Sequence, residues 1–307
     1  MYNYLKPVKI EVSLKTATTI RIPVYTAKLV KTLLINGNPE LEALFSKEKT
    51  FPPKPFHITP LYKGVRALYP HVVAKGRDAR PPTKVFKPVV VKAGEEYIFY
   101  IGCTLDLLKD ILSSLMVIDE FEFKGEKVVV SHLSYRVQEV DVKREVEALT
   151  NSFLHAKKLK VTFLSPSLFK DPLVLMRKKK KKLLLPLPEA VLSVPLLMTL
   201  ISRGIYRTSL YLRAIRYLKS VLDIPYTVLK TVNLVWYVYD NNPLPALIGY
   251  VIYFVDYEML NHVQMMMSMK YGLDFLELFA KAMVLAQVYG VGDGRTAGFG
   301  HVSITNC

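Results

Sequence analysis

The chain has 307 residues, enough for one large domain or two small ones around a sizeable core. Its 42 Lys and Arg against 26 Asp and Glu leave +16 at pH 7 and a pI near 9.6, which favours a polyanionic partner over an acidic, protein-like one. The two cysteines, Cys103 and Cys307, lack metal or redox spacing and argue against a disulfide framework; the alternating start MYNYLKPVKIEVSLK has no signal-peptide core, so a cytoplasmic setting is expected.

Residues 5–24 read as strand, with Val8, Ile10 and Val12 alternating and Ile20, Ile22 and Val24 resuming after a turn. A helix follows over Tyr25 to Asn36, with Leu29, Val30, Leu33 and Leu34 on its apolar side and Lys28 and Lys31, three apart, on one face. Asn36-Gly-Asn-Pro39 breaks it, and Glu40 to Phe45 makes a further short turn. The basic loop Lys47 to Lys54 leads to a strand at Phe56 to Tyr62. Lys75 to Lys87 reads as an exposed basic loop, Tyr97 to Ile101 as strand, Leu105 to Met116 as helix and Lys127 to Val140 as strand. The order β-α-β-β-α-β is a ferredoxin-like signature.

Asp141 to Leu154 looks like a connector, so the chain divides into domains at 1–150 and 151–307. Lys158 to Leu164 opens the second unit as a strand, and a Lys/Arg run through Lys178 to Lys182 follows. Leu183 to Ile201 is long and apolar, but Glu189 and the prolines Pro186, Pro188 and Pro195 favour a proline-punctuated loop entering a buried helix over a membrane span. Pro195 to Lys219 is expected as one long helix whose Arg213, Arg216 and Lys219 share a side. Strands at Tyr226 to Tyr239 and Ala246 to Val255, an insertion-like Met-rich segment at Met259 to Met269, a helix at Leu273 to Tyr289 and a last strand complete a second β-α-β-β-α-β. The expected fold class is α+β, two tandem ferredoxin-like (RRM-like) domains.

Between the last helix and the last strand lies Gly290-Val-Gly-Asp-Gly-Arg-Thr-Ala-Gly-Phe-Gly300, five glycines in eleven residues. Glycine permits positive φ and close backbone approach, so Gly290, Gly292, Gly294, Gly298 and Gly300 with Arg295 can form a phosphate-binding loop. A dinucleotide fingerprint is excluded because only ten residues follow Ala297, too few for a βαβ unit, and no Gly-Lys-Ser/Thr makes a Walker loop.

Two glycine–apolar–glycine triplets around a basic residue near the C-terminus resemble the glycine-rich loop of the RAMP superfamily, most closely its CRISPR precursor-RNA endoribonucleases. Phe163-Leu-Ser-Pro-Ser-Leu168 looks like that family's entry strand to its second domain, and Ile22-Pro23, Leu29, Leu33, Asn38-Pro39 and Leu41 resemble its first-helix region. The resemblance implies CRISPR repeat RNA as substrate and no cofactor or metal. Cleavage would use the 2′-hydroxyl as nucleophile, leaving a 2′,3′-cyclic phosphate and a 5′-hydroxyl.

It also places Arg295 against the scissile phosphate. Many members carry a catalytic histidine after the first helix; here the stretch is Leu44-Phe45-Ser46-Lys47, and the nearest histidine is His57. Some archaeal members use lysines and arginines instead, for which Lys28, Lys31, Lys49 and Lys54 are available. A lysine with an ordinary pKa near 10.4 is a poor base at neutral pH, so Lys28 and Lys31 are assigned first to charge stabilisation. The RNA-binding set comprises Lys49, the five loop glycines, Arg213, Arg216 and Lys219. The other histidines, including His301, and Trp236, Tyr237 and Tyr239 read as ordinary packing or surface residues. Two alternatives stand beside the nuclease: a non-catalytic RAMP subunit of a CRISPR effector complex, and a peripheral membrane protein using Lys178 to Ile201. Repeat RNA, effector subunits and a second copy of the chain are the partners in view.

Overall fold

The computed structural model describes residues 3–46, 51–70, 87–153, 157–173, 182–224, 231–239 and 243–307. In the N-terminal half, β1 (Pro7–Thr16) turns Val8, Ile10, Val12 and Leu14 into the core. It lies between β7 (Tyr97–Thr104) and β9 (Glu126–Glu139), antiparallel to both. Outside β7 lie β3 (Phe56–Ile58) and a hairpin of β4 (Tyr62–Lys63) and β5 (Arg66–Ala67). Outside the first part of β9 lies β8 (Glu120–Phe123), while β2 (Ile20–Ile22) and β6 (Val89–Val91) form a separate ladder. α1 (Ala27–Gly37) packs Leu29, Val30, Leu33 and Leu34 onto one sheet face beside α2 (Leu105–Val117). The spatial order β9-β1-β7-β3 is ferredoxin-like.

The second half repeats it. β10 (Lys158–Ser167) lies between β15 (Pro243–Val255) and β16 (Val302–Asn306), while β14 (Val232–Val238) and β13 (Leu222–Asp223) pair with β15. A two-stranded ladder of β11 (Phe169–Lys170) and β12 (Lys182–Leu183) leads into α4 (Pro188–Val191) and α5 (Ser193–Ser202). α6 (Thr208–Val221), α7 (Tyr257–Tyr271) and α8 (Phe275–Tyr289) complete the helical layer. The chain is thus α+β, two ferredoxin-like units in tandem.

Several elements differ from expectation. The long helix at Pro195 to Lys219 is two helices: Gly204, at φ 68°, donates to Ile201 O, and Ile205 donates to Leu200 O, a turn that closes α5. The charged connector, expected to end in a helix-like turn through Leu154, is helical along almost its whole length as α3 (Val142–Phe153), and the Asp141 carboxylate accepts the Arg144 N–H at 3.1 Å. The Met-rich insertion is α7, capped by Asp256 at one end and by left-handed Gly272 at the other. The strand at Phe56 to Tyr62 divides into β3 and β4 on either side of Pro60. Leu183 to Ile201 folds as a loop and buried helices, and no described helix is long and apolar enough to cross a membrane. Tyr226, most of the Lys75–Lys87 loop and residues 178–181 of the basic run lie outside the described residues.

One helix unites the halves. α8 is buried on nearly every side, packing Leu278, Phe279 and Met283 into the second core and Leu285, Val288 and Tyr289 against Tyr4. Its last turn lies directly on Gly102 of β7, where a Cβ would overlap the Val288 carbonyl. Gly102→Val should therefore force α8 off the first sheet and cost about 2 kcal/mol or more, read as a lower urea midpoint. A wild-type midpoint would show that this contact yields freely.

Candidate nucleic-acid interface at the glycine loop

The loop begins where α8 ends. Val291 N–H donates to Gly300 O at 2.9 Å, which closes the two glycine triplets on each other. Asp293 N–H donates to Leu168 O at 2.8 Å and Gly300 N–H to Pro166 O at 3.1 Å, tying the loop to the end of β10. All five loop glycines have positive φ, and at Gly292, Gly298 and Gly300 a neighbouring atom also stands 2.0–2.2 Å from where a Cβ would lie. A Cβ on Gly292 (φ 68°) would overlap Leu168 O, and one on Gly298 (φ 95°) would overlap the Ala27 methyl of α1.

The aromatic residue between the last two glycines fixes the loop to the first domain. Phe299 stacks on Tyr25 at 4.5 Å with planes 12° apart, and Tyr237 and Tyr239 of the second domain surround the pair. The Tyr25 hydroxyl donates to Gly298 O at 2.8 Å. Tyr25 and Ala27 touch the loop, and Lys28 and, one turn further along α1, Lys31 follow them. Both are partly exposed; the Lys28 ammonium lies 4.4 Å from the Tyr239 ring centre and that of Lys31 5.4 Å from the Phe45 ring centre.

Arg295 is not presented to solvent as expected. It is 8 % exposed, and its Nη1 donates to Tyr289 O at 2.9 Å while Nη2 donates to Lys54 O at 3.2 Å. Desolvation pulls its pKa down to about 10, so it stays charged at neutral pH. Spacing alone suggested a phosphate contact; the short turn Arg295–Ala297 instead folds the side chain back under the loop. The loop also carries Asp293, whose carboxylate pairs with Lys170. Lys54 is likewise turned inward: its ammonium donates to Ala43 O, Leu44 O, Ser46 O and Ser46 Oγ at 2.7–3.2 Å, closing the turn after α1.

His57 lies on the other side of the loop. It is 2 % exposed, its Nε2 has no hydrogen-bond partner among the described residues, and burial, then His301 and Arg295, hold its pKa well below 6.5. It lines a cleft of about 400 Å³ between the domains together with Lys9, Tyr62, Tyr100 and His301. The Tyr62 hydroxyl donates to Leu164 O at 3.1 Å and lies 2.8 Å from His301 Nδ1. A phenol has one proton, so Nδ1 carries the imidazole proton and donates. Burial and then the Lys9 charge press the His301 pKa down to about 3. Neither Tyr62 nor Tyr100 carries a spacing signal in the sequence, and the only sign of His301 is that it directly follows the last loop glycine.

Arg213, Arg216 and Lys219 lie on α6, with Arg216 and Lys219 exposed and the Arg213 guanidinium carbon 5.7 Å from the Tyr271 ring centre. No described element brings them beside the loop. Lys49 lies outside the described residues.

Residues 8–143 match the Cas6 N-terminal domain family. The fold extends further: a Cas6 product complex has 14% identity and a TM-score of 0.62, covering 98% of this chain and 100% of that one. Cas6 of Thermus thermophilus has 14% identity, a TM-score of 0.54 and 98% coverage of both chains. A Cas6-related protein from Pyrococcus furiosus has 12% identity and a TM-score of 0.54, covering 97% of this chain and 98% of that one. No curated protein sequence matches significantly. Residues 8–143 thus resemble the Cas6 N-terminal domain family, and over the whole chain the likeness to Cas6 structures is one of fold; to that extent the resemblance read from the glycine loop and element order is borne out.

The two neutral imidazoles set an acid limit on stability. The unfolded chain protonates its histidines near pH 6.5, whereas the folded values lie lower, near 3 for His301. Below pH 6.5 the unfolded state therefore binds more protons, and stability falls with acidification until the folded values are reached, by at most about 1.4 kcal/mol per pH unit for each histidine held neutral. His301→Gln should flatten the fall in urea midpoint between pH 6 and 4. An unchanged pH profile would contradict a half-buried His301 held neutral.

Proposed function

We propose that this chain, with its likeness to the Cas6 N-terminal domain family and its Cas6-like fold, processes CRISPR repeat RNA as a metal-independent endoribonuclease. The observation that supports the reading is the clamp of Tyr25 and Ala27 on the glycine loop, which brings the start of α1, the helix that carries Lys28 and Lys31, against a loop whose glycines all have positive φ. In-line attack of a 2′-hydroxyl on its own phosphate needs positioning and charge neutralisation more than covalent help. The net charge of +16 supplies sequence-independent affinity. Lys28 and Lys31 would neutralise the charge that develops on the phosphoryl oxygens, and Arg295 would position the loop from beneath. Cleavage would yield a 2′,3′-cyclic phosphate and a 5′-hydroxyl.

A second reading has its own support. No histidine stands on α1 or at 39–46, and Arg295 and Lys54 are occupied by internal carbonyls. These features suit a non-catalytic RAMP subunit that holds guide RNA in an effector complex.

Single-turnover cleavage of repeat RNA in EDTA separates the two. The nuclease reading expects cleavage, its abolition with binding retained when the cut-site nucleotide is 2′-deoxy, and a rate loss of ~10²–10³ for Lys28→Ala or Lys31→Ala, with affinity changed much less. Tight binding of the all-ribose RNA without cleavage would select the subunit reading. Cleavage of the 2′-deoxy substrate, or a metal requirement, would overturn the mechanism.

A further inference from the structure

Beside the glycine loop the second domain holds a small cavity that the loop helps to close. Its volume is about 190 Å³, below the ~300–1,000 Å³ of sites for drug-sized ligands and of the order of a single nucleobase. Leu168, Phe169, Leu244 and Ala246 form apolar walls, and three charged side chains, Lys170, Lys182 and Asp293, share the lining. An apolar slot with a few converging polar groups is the usual form of a specific ligand site.

The backbone holds those charges in place. Asp293 N–H donates to Leu168 O at 2.8 Å, which anchors the residue beside the start of β11. There the Lys170 ammonium engages Asp293 Oδ2, while Oδ1 accepts no hydrogen bond among the described residues. The pair is open to a ligand, with the two side chains 28 % and 46 % exposed. Across the short ladder Lys170 lies opposite Lys182. Like charges that face each other destabilise a ladder. Asp293 answers only one of them, and Lys182 is exposed with no ion pair among the described residues.

We propose that this cavity takes a guanine base of a bound RNA strand, with Lys182 on an adjoining phosphate. The proposal rests on the reading of the chain as an RNA-binding protein. Guanine alone among the four bases presents two neighbouring donors, N1–H and N2–H, beside an acceptor, O6. The Asp293 carboxylate can accept both donors, and the Lys170 ammonium, with three protons, can donate to O6 while it keeps Asp293. Adenine and cytosine offer a carboxylate one amino group each, and uracil a single N3–H between two acceptors. The apolar walls take the faces of the base, as where unpaired RNA bases are read by their edges. Asp293 and Lys170 are then specificity-determining residues. Neither Lys28 nor Lys31 lines the cavity, so the assignment concerns which RNA is held rather than how it is cut.

The test is fluorescence anisotropy of the full chain with labelled pentaribonucleotides, which reads binding whether or not RNA is cut. AAGAA should bind at least ~10-fold more tightly than AAAAA, and AAIAA, whose inosine lacks only the N2 amine, should lose most of that gain. Asp293→Asn replaces one acceptor oxygen by a donor and should bring AAGAA to the affinity of AAAAA. The inosine comparison needs no protein variant, so it decides the matter even if Asp293→Asn misfolds. Lys182→Ala should weaken both oligomers alike and lower the salt dependence by about one phosphate contact. Equal affinity of the wild type for AAGAA and AAAAA would overturn the proposal and leave RNA binding intact. Failure to bind either would count against the RNA reading as well. Free GMP bound as tightly as AAGAA would overturn the place on RNA and mark a mononucleotide site instead.

Discussion

The Arg295 guanidinium joins segments far apart in sequence. It reaches the Tyr289 carbonyl at the end of α8 and the Lys54 carbonyl before β3, while its backbone starts the short turn inside the glycine loop. Helix ends leave carbonyls without intrahelical donors, and a charged donor near a helix C-terminus also meets a favourable dipole. Two such bonds offset part of the desolvation of a buried cation, which would be severe if the charge were unpaired. The support continues outward, because the ammonium of the same Lys54 closes the turn Pro39–Phe45. The loop, the entry to β3 and the turn after α1 are therefore one hydrogen-bonded unit.

That unit divides the surroundings in two. On the α1 side lie lysines against aromatic rings; on the cleft side lie neutral imidazoles and phenols. On the proposed reading the first environment takes the polyanion, since its cations are partly in water. The second is a desolvated seam, in which Tyr62 and His301 couple the two sheets through Leu164. The five glycines make this division thin, because any side chain at Gly292 or Gly298 would push the loop away from β10 or from α1.

Element order and the loop were legible in the sequence because both depend on local signals: alternation in β1 and β10, helical spacing in α1 and α8, and glycines where φ must be positive. The boundary between α5 and α6 turned on Gly204, a signal present but outweighed by the apolar run around it. The placements of Arg295 and Lys54 were not legible. Spacing shows that a cation sits in a loop, but whether it faces water or an orphan carbonyl depends on contacts with residues 6 and 241 positions away. His301 was missed for a related reason: its partner Tyr62 is 239 residues distant, and only the pairing of domains brings them together.

Arg295 is an internal strut for the loop and for the strand entry it bonds. Amide hydrogen exchange on Arg295→Leu tests it most directly. Faster exchange is expected at residues 290–300 and at 54–58 together, with α6 unchanged, because both ends of the strut are released at once. Exchange that stays at wild-type rates in both segments would contradict it.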